Sequence, residues 1–281
     1  MAAQILDGKF ISQQLINKIA EKIKKRVDKG HRSPGLAVVL VGDNPASEVY
    51  VRNKVRACEK AGINSISHKL PRNVSAHELY DLIDELNEDD SIHGILVQLP
   101  LPQHIDETEV TNRILPNKDV DGFHAENVGR LALRQPGLRP CTPRGVMTML
   151  HEYNIIPKSK NCVIVGASNI VGRPLMLEML YAGATVTVCH RFTHDLERHV
   201  RNAEILCVAI GKVGIVKSEW ISNGCIVIDI AINRQDNGKL CGDVDFEKAQ
   251  QVASFITPVP GGVGPMTVAT LMQNTYEASL L

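Results

Sequence analysis

Five stretches of this chain are apolar on nearly every residue: GLAVVLVG (35–42), GILVQLPLP (94–102), CVIVG (162–166), ILCVAIG (205–211) and CIVIDIAI (225–232). None alternates apolar with polar residues, so none reads as a strand with one wet face. Such runs are strands buried on both sides, as in a parallel sheet. Segments with helical spacing separate them. ASEVYVRNKVRACEKAG (46–62) closes on Gly62, and SAHELYDLIDELNED (75–89) opens with Ser75 and Glu78 in a capping-box arrangement. DETEVTNRIL, GVMTMLHEYN, a segment from about Val171, THDLERHVRNA and the tail MTVATLMQNTYEASL also read as helices, while SISHKLP and TVTVCH read as shorter strands. Alternation of this kind predicts an α/β protein of parallel strands and crossover helices.

The alternation is interrupted once. Residues 116–145, PNKDVDGFHAENVGRLALRQPGLRPCTPRG, are rich in Pro, Gly and charge, as an interdomain segment would be. With 281 residues in all, two α/β domains are expected. The 31 basic residues balance the 31 acidic ones, so no net field draws the chain to nucleic acid or to an anionic membrane. No apolar run approaches the roughly 20 residues of a spanning helix, and Asp7 and Lys9 sit where a secretory leader would be apolar. The seven cysteines have no metal-type or C-x-x-C spacing and several lie in strand runs. They read as buried, reduced thiols, and the chain as a cytoplasmic protein.

Residues 163–174, VIVGASNIVGRP, carry a strand through a glycine turn into a helix. The dinucleotide fingerprint G-x-G-x-x-G is incomplete: Gly166 and Ala167 are followed by Ser168, and the next glycine is Gly172. An ordinary strand–helix turn can look like this. The βαβ setting favours a nucleotide, with Gly166 making the turn, Gly172 allowing close packing and Ser168 donating to a phosphate beside the helix start. The next strand, TVTVCHRF, ends on His190 and Arg191 where an NAD site would place an acid. Arg191 is either a solvated arginine or the partner of a 2′-phosphate, and the second reading predicts NADP. A charge-assisted contact of that kind is worth roughly 1.5–3 kcal/mol, about 10- to 150-fold in preference.

Ser47, Tyr50 and Lys54 fall at i, i+3 and i+7 on one face of the helix after the first long strand. That helix starts at the carboxyl end of the strand, where open α/β sheets bind ligands. Gln98, Asp119 and Asp121 are expected on the same rim. A lysine beside an amide and away from water is a usable acid–base group. The two carboxylates of KDVDG raise the question of Mg²⁺, but no further acidic cluster or phosphate loop supports it, so no metal is expected. ITPVPGGVGPMT (256–267) holds three prolines and three glycines, which predicts a rigid loop leading into the final helix, either a hinge or a ligand-flanking segment.

YVRNK (50–54), VQLPLP (97–102), KDVDGF (118–123), PCTPRG (140–145), GASNIVGRP (166–174) and PVPGGVGPMT (258–267) together resemble the bacterial bifunctional methylenetetrahydrofolate dehydrogenase/cyclohydrolase (FolD) family over essentially the whole chain. The resemblance implies two α/β domains with a cleft between them. One is an N-terminal folate-binding catalytic domain (1–140, completed by the last helix, 263–281); the other is a Rossmann-like NADP-binding domain (141–262). It implies oxidation of 5,10-methylenetetrahydrofolate by NADP⁺ and hydrolysis of the methenyl cation to 10-formyltetrahydrofolate. By position, Lys54 matches the family's catalytic lysine and Gln98 its hydrogen-bonding partner. Tyr50 matches the ring stacked on the aminobenzoate, and Asp121 the carboxylate that grips the pterin. Val97, Leu99, Pro260, Gly261 and Gly262 match residues flanking the substrate. Thr142, Gly166, Ala167, Ser168, Val171, Arg191 and Ile232 match cofactor contacts.

The methenyl product is already an electrophile, so water needs a position and a proton acceptor rather than a metal. Many family members carry Arg where this chain has Ala167, which leaves Arg191 to supply the charge for a 2′-phosphate. A homodimer is implied by the family alone. A dehydrogenase without cyclohydrolase activity would be expected to alter Tyr50, Lys54 or Gln98. A non-catalytic folate- or NADP-binding module would alter Lys54 or Asp121. All four residues are present.

Overall fold

The computed structural model describes residues 2–235 and 237–281. In chain order the elements are β1 (Gln4–Ile5), α1 (Gly8–Val27), β2 (Gly35–Val41), α2 (Pro45–Ala61), β3 (Asn64–Leu70), α3 (Ala76–Glu88), β4 (Gly94–Val97), α4 (Glu107–Arg113), α5 (Ala125–Ala132) and α6 (Cys141–Glu152). They continue with β5 (Asn161–Val165), α7 (Gly172–Tyr181), β6 (Thr185–Cys189), α8 (Leu196–Arg201), β7 (Ile205–Val208), β8 (Ile226–Asp229), β9 (Asn233–Arg234), β10 (Leu240–Cys241), α9 (Phe246–Ala249), β11 (Phe255–Ile256) and α10 (Val263–Ala278). They fall into two units, one of residues 13–141 with 268–281, the other of residues 2–12 with 142–267.

The first unit is built on a parallel sheet in the order β3-β2-β4. Every residue of the central strand β2 is buried. Its side chains alternate between two cores, as the period of a strand requires. Leu36 and Val38 join Ile16, Ile19 and Ile23 of α1, Ala57 and Cys58 of α2, and Ala269 and Met272 of α10. Ala37, Val39 and Val41 join Leu79, Ile83 and Leu86 of α3 and Val110 of α4. Helices on both faces are why the sequence is apolar without alternation. The capping box at Ser75 forms as expected, with both its bonds present. β4 ends at Val97, short of the expected run to 102, because Pro100 and Pro102 have no N–H to pair. The segment expected as an interdomain linker contains α5, started by the His124 Nδ1 that accepts the Glu126 N–H at 3.0 Å.

The second unit carries a six-stranded, wholly parallel sheet, ordered β1-β11-β8-β7-β5-β6. From β5 the chain steps outward to β6 on one side and then to β7 on the other, so strand order reverses beside β5. Crevices at such reversals, outside the carboxyl ends of the strands, are where doubly wound sheets bind ligands. Residues 2–12 belong to this unit because β1 pairs with β11 at the sheet edge, whereas the sequence reading grouped them with the first domain. α10 starts at Val263, with Pro265 inside its first turn, where a missing N–H costs nothing.

Among the described residues no helix is long and apolar enough to cross a membrane, and no group of three or more His, Cys, Asp or Glu side chains is arranged to hold a metal. Six of the seven cysteines are buried and all are free thiols.

β8 ends on a buried carboxyl. The Asp229 N–H donates to Thr257 Oγ1 at 2.7 Å, and the side chain accepts from the N–H groups of Asp243 (3.1 Å) and Val244 (2.8 Å). Burial pushes this carboxyl up to about 7 against the pull of those donors. The folded chain thus keeps a proton that an unfolded carboxyl, titrating near about 3.9, has already lost. Stability from this group is full below about pH 4 and is lost as pH rises towards about 7. Asp229→Asn should remove that slope. Between pH 4 and 7 the parent's unfolding free energy should fall by up to about 4 kcal/mol more than the variant's, as urea titrations across the range would record. Parallel profiles would mean that Asp229 is ionised in the fold throughout.

Candidate active site

In the first unit the site grows from the carboxyl ends of β2 and β4. Asn44 caps α2 immediately after β2, its Oδ1 accepting the N–H groups of Ala46 (2.9 Å) and Ser47 (3.2 Å), and Gly62 closes the helix in the left-handed region at φ 77°. Ser47 and Lys54 are buried by the turn geometry of this helix, while Tyr50 between them stays 39% exposed. Lys54 is only 7% exposed, and its Nζ donates to Gln98 Oε1 at 3.0 Å. Gln98 follows β4, its N–H bonded to the Val39 carbonyl at 2.8 Å and its Nε2 donating to the Leu99 carbonyl at 2.7 Å. With the amide nitrogen so engaged, the oxygen must face the lysine. Val97 is buried and Leu99 half-buried on either side of Gln98.

Asp121 reaches the same group from the 118–122 loop. It is partly open to solvent yet closely surrounded by protein, and burial pushes its carboxyl up; the positive charge of Lys54 and the Cys141 thiol oppose that shift. Asp119, expected to share this rim, does not. Its carboxylate is 2% exposed and turned inward, accepting from the Gly122 N–H (3.1 Å), the His124 N–H (2.8 Å) and Asn127 Nδ2 (2.9 Å). Burial also raises this carboxyl, against those donors. Asp119 therefore shapes the loop that carries Asp121. Gly122 needs to be glycine there, since at φ 79° a Cβ would lie 2.5 Å from the Arg139–Pro140 backbone. The loop is fastened by residues distant in sequence. The Cys141 N–H donates to the Asp121 carbonyl at 3.1 Å, and Asn274 Nδ2 of α10 donates to the carbonyls of Val120 (2.7 Å) and Arg139 (2.8 Å).

In the second unit the glycine turn sits at the strand reversal beside β5. Gly166 has φ 127°, and a Cβ there would come within 2.4 Å of the Ala209 carbonyl at the end of β7. At Gly172 a Cβ would be 2.0 Å from the Gly166 carbonyl, so α7 can start only if that residue has no side chain. Ser168 Oγ accepts from the N–H groups of Val171 (3.2 Å) and Gly172 (3.4 Å), which leaves its hydroxyl hydrogen available to a ligand. A backbone-walled turn opening a helix of ten residues is the cradle a pyrophosphate requires. Arg191 is exposed after β6, its guanidinium 4.6 Å over the Phe192 ring. A second cation stands by the turn, Arg173, whose Nε donates to the Ala167 carbonyl at 3.2 Å. Thr142 shares a 2.9 Å hydroxyl contact with Thr267, and Ile232 is 37% exposed beyond β8. Pro260 is exposed, Gly261 has φ 113° with its carbonyl accepting the Lys9 N–H at 2.9 Å, and the Gly262 N–H returns to the Pro258 carbonyl at 2.8 Å.

The family model described as tetrahydrofolate dehydrogenase/cyclohydrolase, catalytic domain, matches residues 6–121, and that described as its NAD(P)-binding domain matches residues 140–280. The chain belongs to the tetrahydrofolate dehydrogenase/cyclohydrolase family. It is a bifunctional folate enzyme, dehydrogenase and cyclohydrolase, with NADP as its cofactor. Among solved members, the bifunctional FolD enzyme of Campylobacter jejuni is 50% identical, with 99% of each chain covered and a TM-score of 0.97. The methylenetetrahydrofolate dehydrogenase of the silkworm Bombyx mori is 42% identical over 99% of this chain and 98% of its own, with a TM-score of 0.93. The dehydrogenase–cyclohydrolase of Trypanosoma brucei, solved with NADP and an inhibitor, is 36% identical over 100% of this chain and 99% of its own, with a TM-score of 0.94.

For this family member, Lys54, Gln98 and Asp121 gather in one unit, and Thr142, Gly166, Ala167, Ser168, Val171, Arg191, Ile232 and residues 260–262 belong to the other. Asn274 has no signal in the sequence because its bonds to the loop cross 154 and 135 residues of chain, and Cys141 none because its bond to the Asp121 carbonyl is made by its backbone N–H. Asp119→Asn would turn an amide nitrogen against donors it now accepts from. It should cost about 2–4 kcal/mol by equilibrium urea unfolding, since buried donors lose their acceptor. A loss below about 1 kcal/mol would mean the loop is held chiefly by Cys141 and Asn274.

Proposed function

We propose that Lys54 is the acid–base group of the cyclohydrolase step, oriented by Gln98. The dehydrogenase step takes a hydride from the one-carbon unit of 5,10-methylenetetrahydrofolate, and NADP⁺ is its acceptor. The methenyl cation left behind is attacked by water at its one-carbon centre. Uncharged Lys54 takes one proton from that water, and the remaining hydroxyl proton passes to the ring nitrogen as its bond to the one-carbon centre breaks, leaving 10-formyltetrahydrofolate. The 3.0 Å bond between a nearly buried Lys54 and Gln98 carries this reading. The amide accepts from the amine without a charge of its own, whereas a carboxylate partner would hold the ammonium form, which has no lone pair to take a proton.

Asp121 grips the amino edge of the pterin, its carboxylate oxygens accepting from the N–H groups there. Tyr50 stacks on the aminobenzoate, helped by its partial exposure, and Val97, Leu99, Pro260, Gly261 and Gly262 flank the substrate. On the nucleotide side Gly166, Ala167, Ser168 and Val171 form the phosphate turn, Thr142 and Ile232 make further contacts, and Arg191 reads the 2′-phosphate. The working division is 1–140 with 263–281 for folate and 141–262 for NADP. We place the enzyme in the cytoplasm as a homodimer that supplies formyl groups for purine biosynthesis.

Lys54→Met should lower cyclohydrolase kcat by at least about a hundredfold, the smaller end of what general acid–base catalysis contributes. The assay follows disappearance of the methenyl compound, with circular dichroism to show an intact fold; full hydrolysis would remove the lysine from the mechanism. Arg191→Ala should lower the ratio of kcat/KM for NADP⁺ over NAD⁺ about 10-fold or more. An unchanged ratio would transfer the role to Arg173, the other cation by the turn.

A further inference from the structure

One buried carboxylate in the second unit has no part in the roles above. Asp243 is fully buried, two residues beyond β10. Its Oδ2 accepts from the N–H groups of Ile210 (2.8 Å) and Gly211 (2.9 Å), in the turn that leaves β7. Its Oδ1 accepts from Asn233 Nδ2 (2.9 Å), in the strand that leaves β8. Its main-chain carbonyl accepts the Gly214 N–H (2.8 Å), and its own N–H is anchored on Asp229 (3.1 Å). Gly242 lets this approach happen, since a Cβ there would lie 2.0 Å from Asp229 Oδ2. One carboxylate therefore ties together the exits of two neighbouring strands at the ligand-binding end of the sheet.

Those exits present apolar side chains to solvent. Ile210 is 43% exposed and Ile232, next to Asn233, is 37% exposed. The Ile210 Cδ1 would lie 3.5 Å from a Cβ at Gly166, so this residue borders the glycine turn itself. Two exposed isoleucines, each within one residue of a bond to the same buried carboxylate and one of them against a phosphate turn, make a shelf for a flat, apolar ring face.

We infer that Asp243 is a positioning residue for the dinucleotide, setting the spacing of an Ile210–Ile232 shelf on which the cofactor's ring lies. The inference rests on the proposed contact of Ile232 with the nucleotide. Asp243 touches neither cofactor nor folate; it acts through the backbone of 210–211 and through Asn233. A carboxylate suits the task because both its oxygens must accept. An amide offers one acceptor, and its nitrogen would face donors.

The test is Asp243→Asn in the full chain. In the nucleotide-free protein, the amides of Ile210 and Gly211 should exchange at least about 10-fold faster, as expected when a local bond is lost. By calorimetry the Kd for NADP⁺ should rise at least about 5-fold, the effect of one lost buried hydrogen bond. Cyclohydrolase kcat and KM, which need no nucleotide, should stay within about twofold of the parent, a split that general destabilisation would not produce. Faster exchange with an unchanged Kd overturns the inference, and so does unchanged exchange. If Asp243→Asn does not fold, Asn233→Ala removes one of the three donors and should raise the Kd at least about 2-fold; an unchanged Kd overturns the inference. Ile232→Ala separates the two readings. If it leaves the Kd unchanged while Asp243→Asn raises it, the Ile232 contact fails and positioning through Ile210 stands.

Discussion

In each unit the candidate site depends on parallel strands that are buried on both faces and end at one edge of that unit's own sheet. Once β2, β4, β5, β7 and β8 are covered by helices on both sides, their own side chains are committed to the core. Chemistry is left to the residues just past each strand, which inherit the rigidity of the sheet without being part of it. Gln98 is one residue beyond β4, the glycine turn begins one residue beyond β5, Arg191 stands two residues beyond β6 and Ile210 two beyond β7. Lys54 is the exception, set back on α2 and returned to the strand end by its bond to Gln98.

The loops so formed are held by carboxylates satisfied largely by backbone N–H groups. Asp119, Asp229 and Asp243 each accept from at least two main-chain donors and are nearly inaccessible to solvent. A carboxylate is a compact acceptor with room for several donors, so one side chain can fix a loop that has no ladder of its own. Burial raises Asp119 and Asp229 because three or fewer donors do not fully replace water. Asp121 differs in having Lys54 as a neighbour and partial access to solvent, which is the setting of a group that meets ligand rather than one that holds structure.

Most of the element pattern was legible because the parallel sheets impose an apolar code that few other structures share. The strands at 35–41, 94–97, 161–165, 205–208 and 226–229 lie inside the runs read as strands, to within a residue. Among the features that were not, three have a clear physical cause. α1 lies outside the alternation read from the sequence, although Ile16, Ile19 and Ile23 have helical spacing. α5 was masked by the glycine, proline and charge around it, since its helix is secured by His124 and by the Asp119–Asn127 bond rather than by propensity. β1 and β11 have two residues each, too few to show any period, and exist because each pairs with a neighbour already in place.

From the sequence alone follow the α/β class, two units, a glycine turn with Gly166 and Gly172 that opens a helix, and a lysine on a helix beside a strand end. These rest on local patterns, periodicity, capping and steric allowance, which a stretch of ten or so residues expresses by itself. Tertiary structure alone decided which of two adjacent carboxylates faces the site. Asp119 and Asp121 differ by two positions and have the same side chain, yet one is consumed by Gly122, His124 and Asn127 while the other stands by Lys54. It also decided that Asn274 and Cys141 hold that loop, and that Asp243 joins the exits of β7 and β8. Such choices depend on which donors the folded chain brings within bonding distance, and no local pattern carries that information.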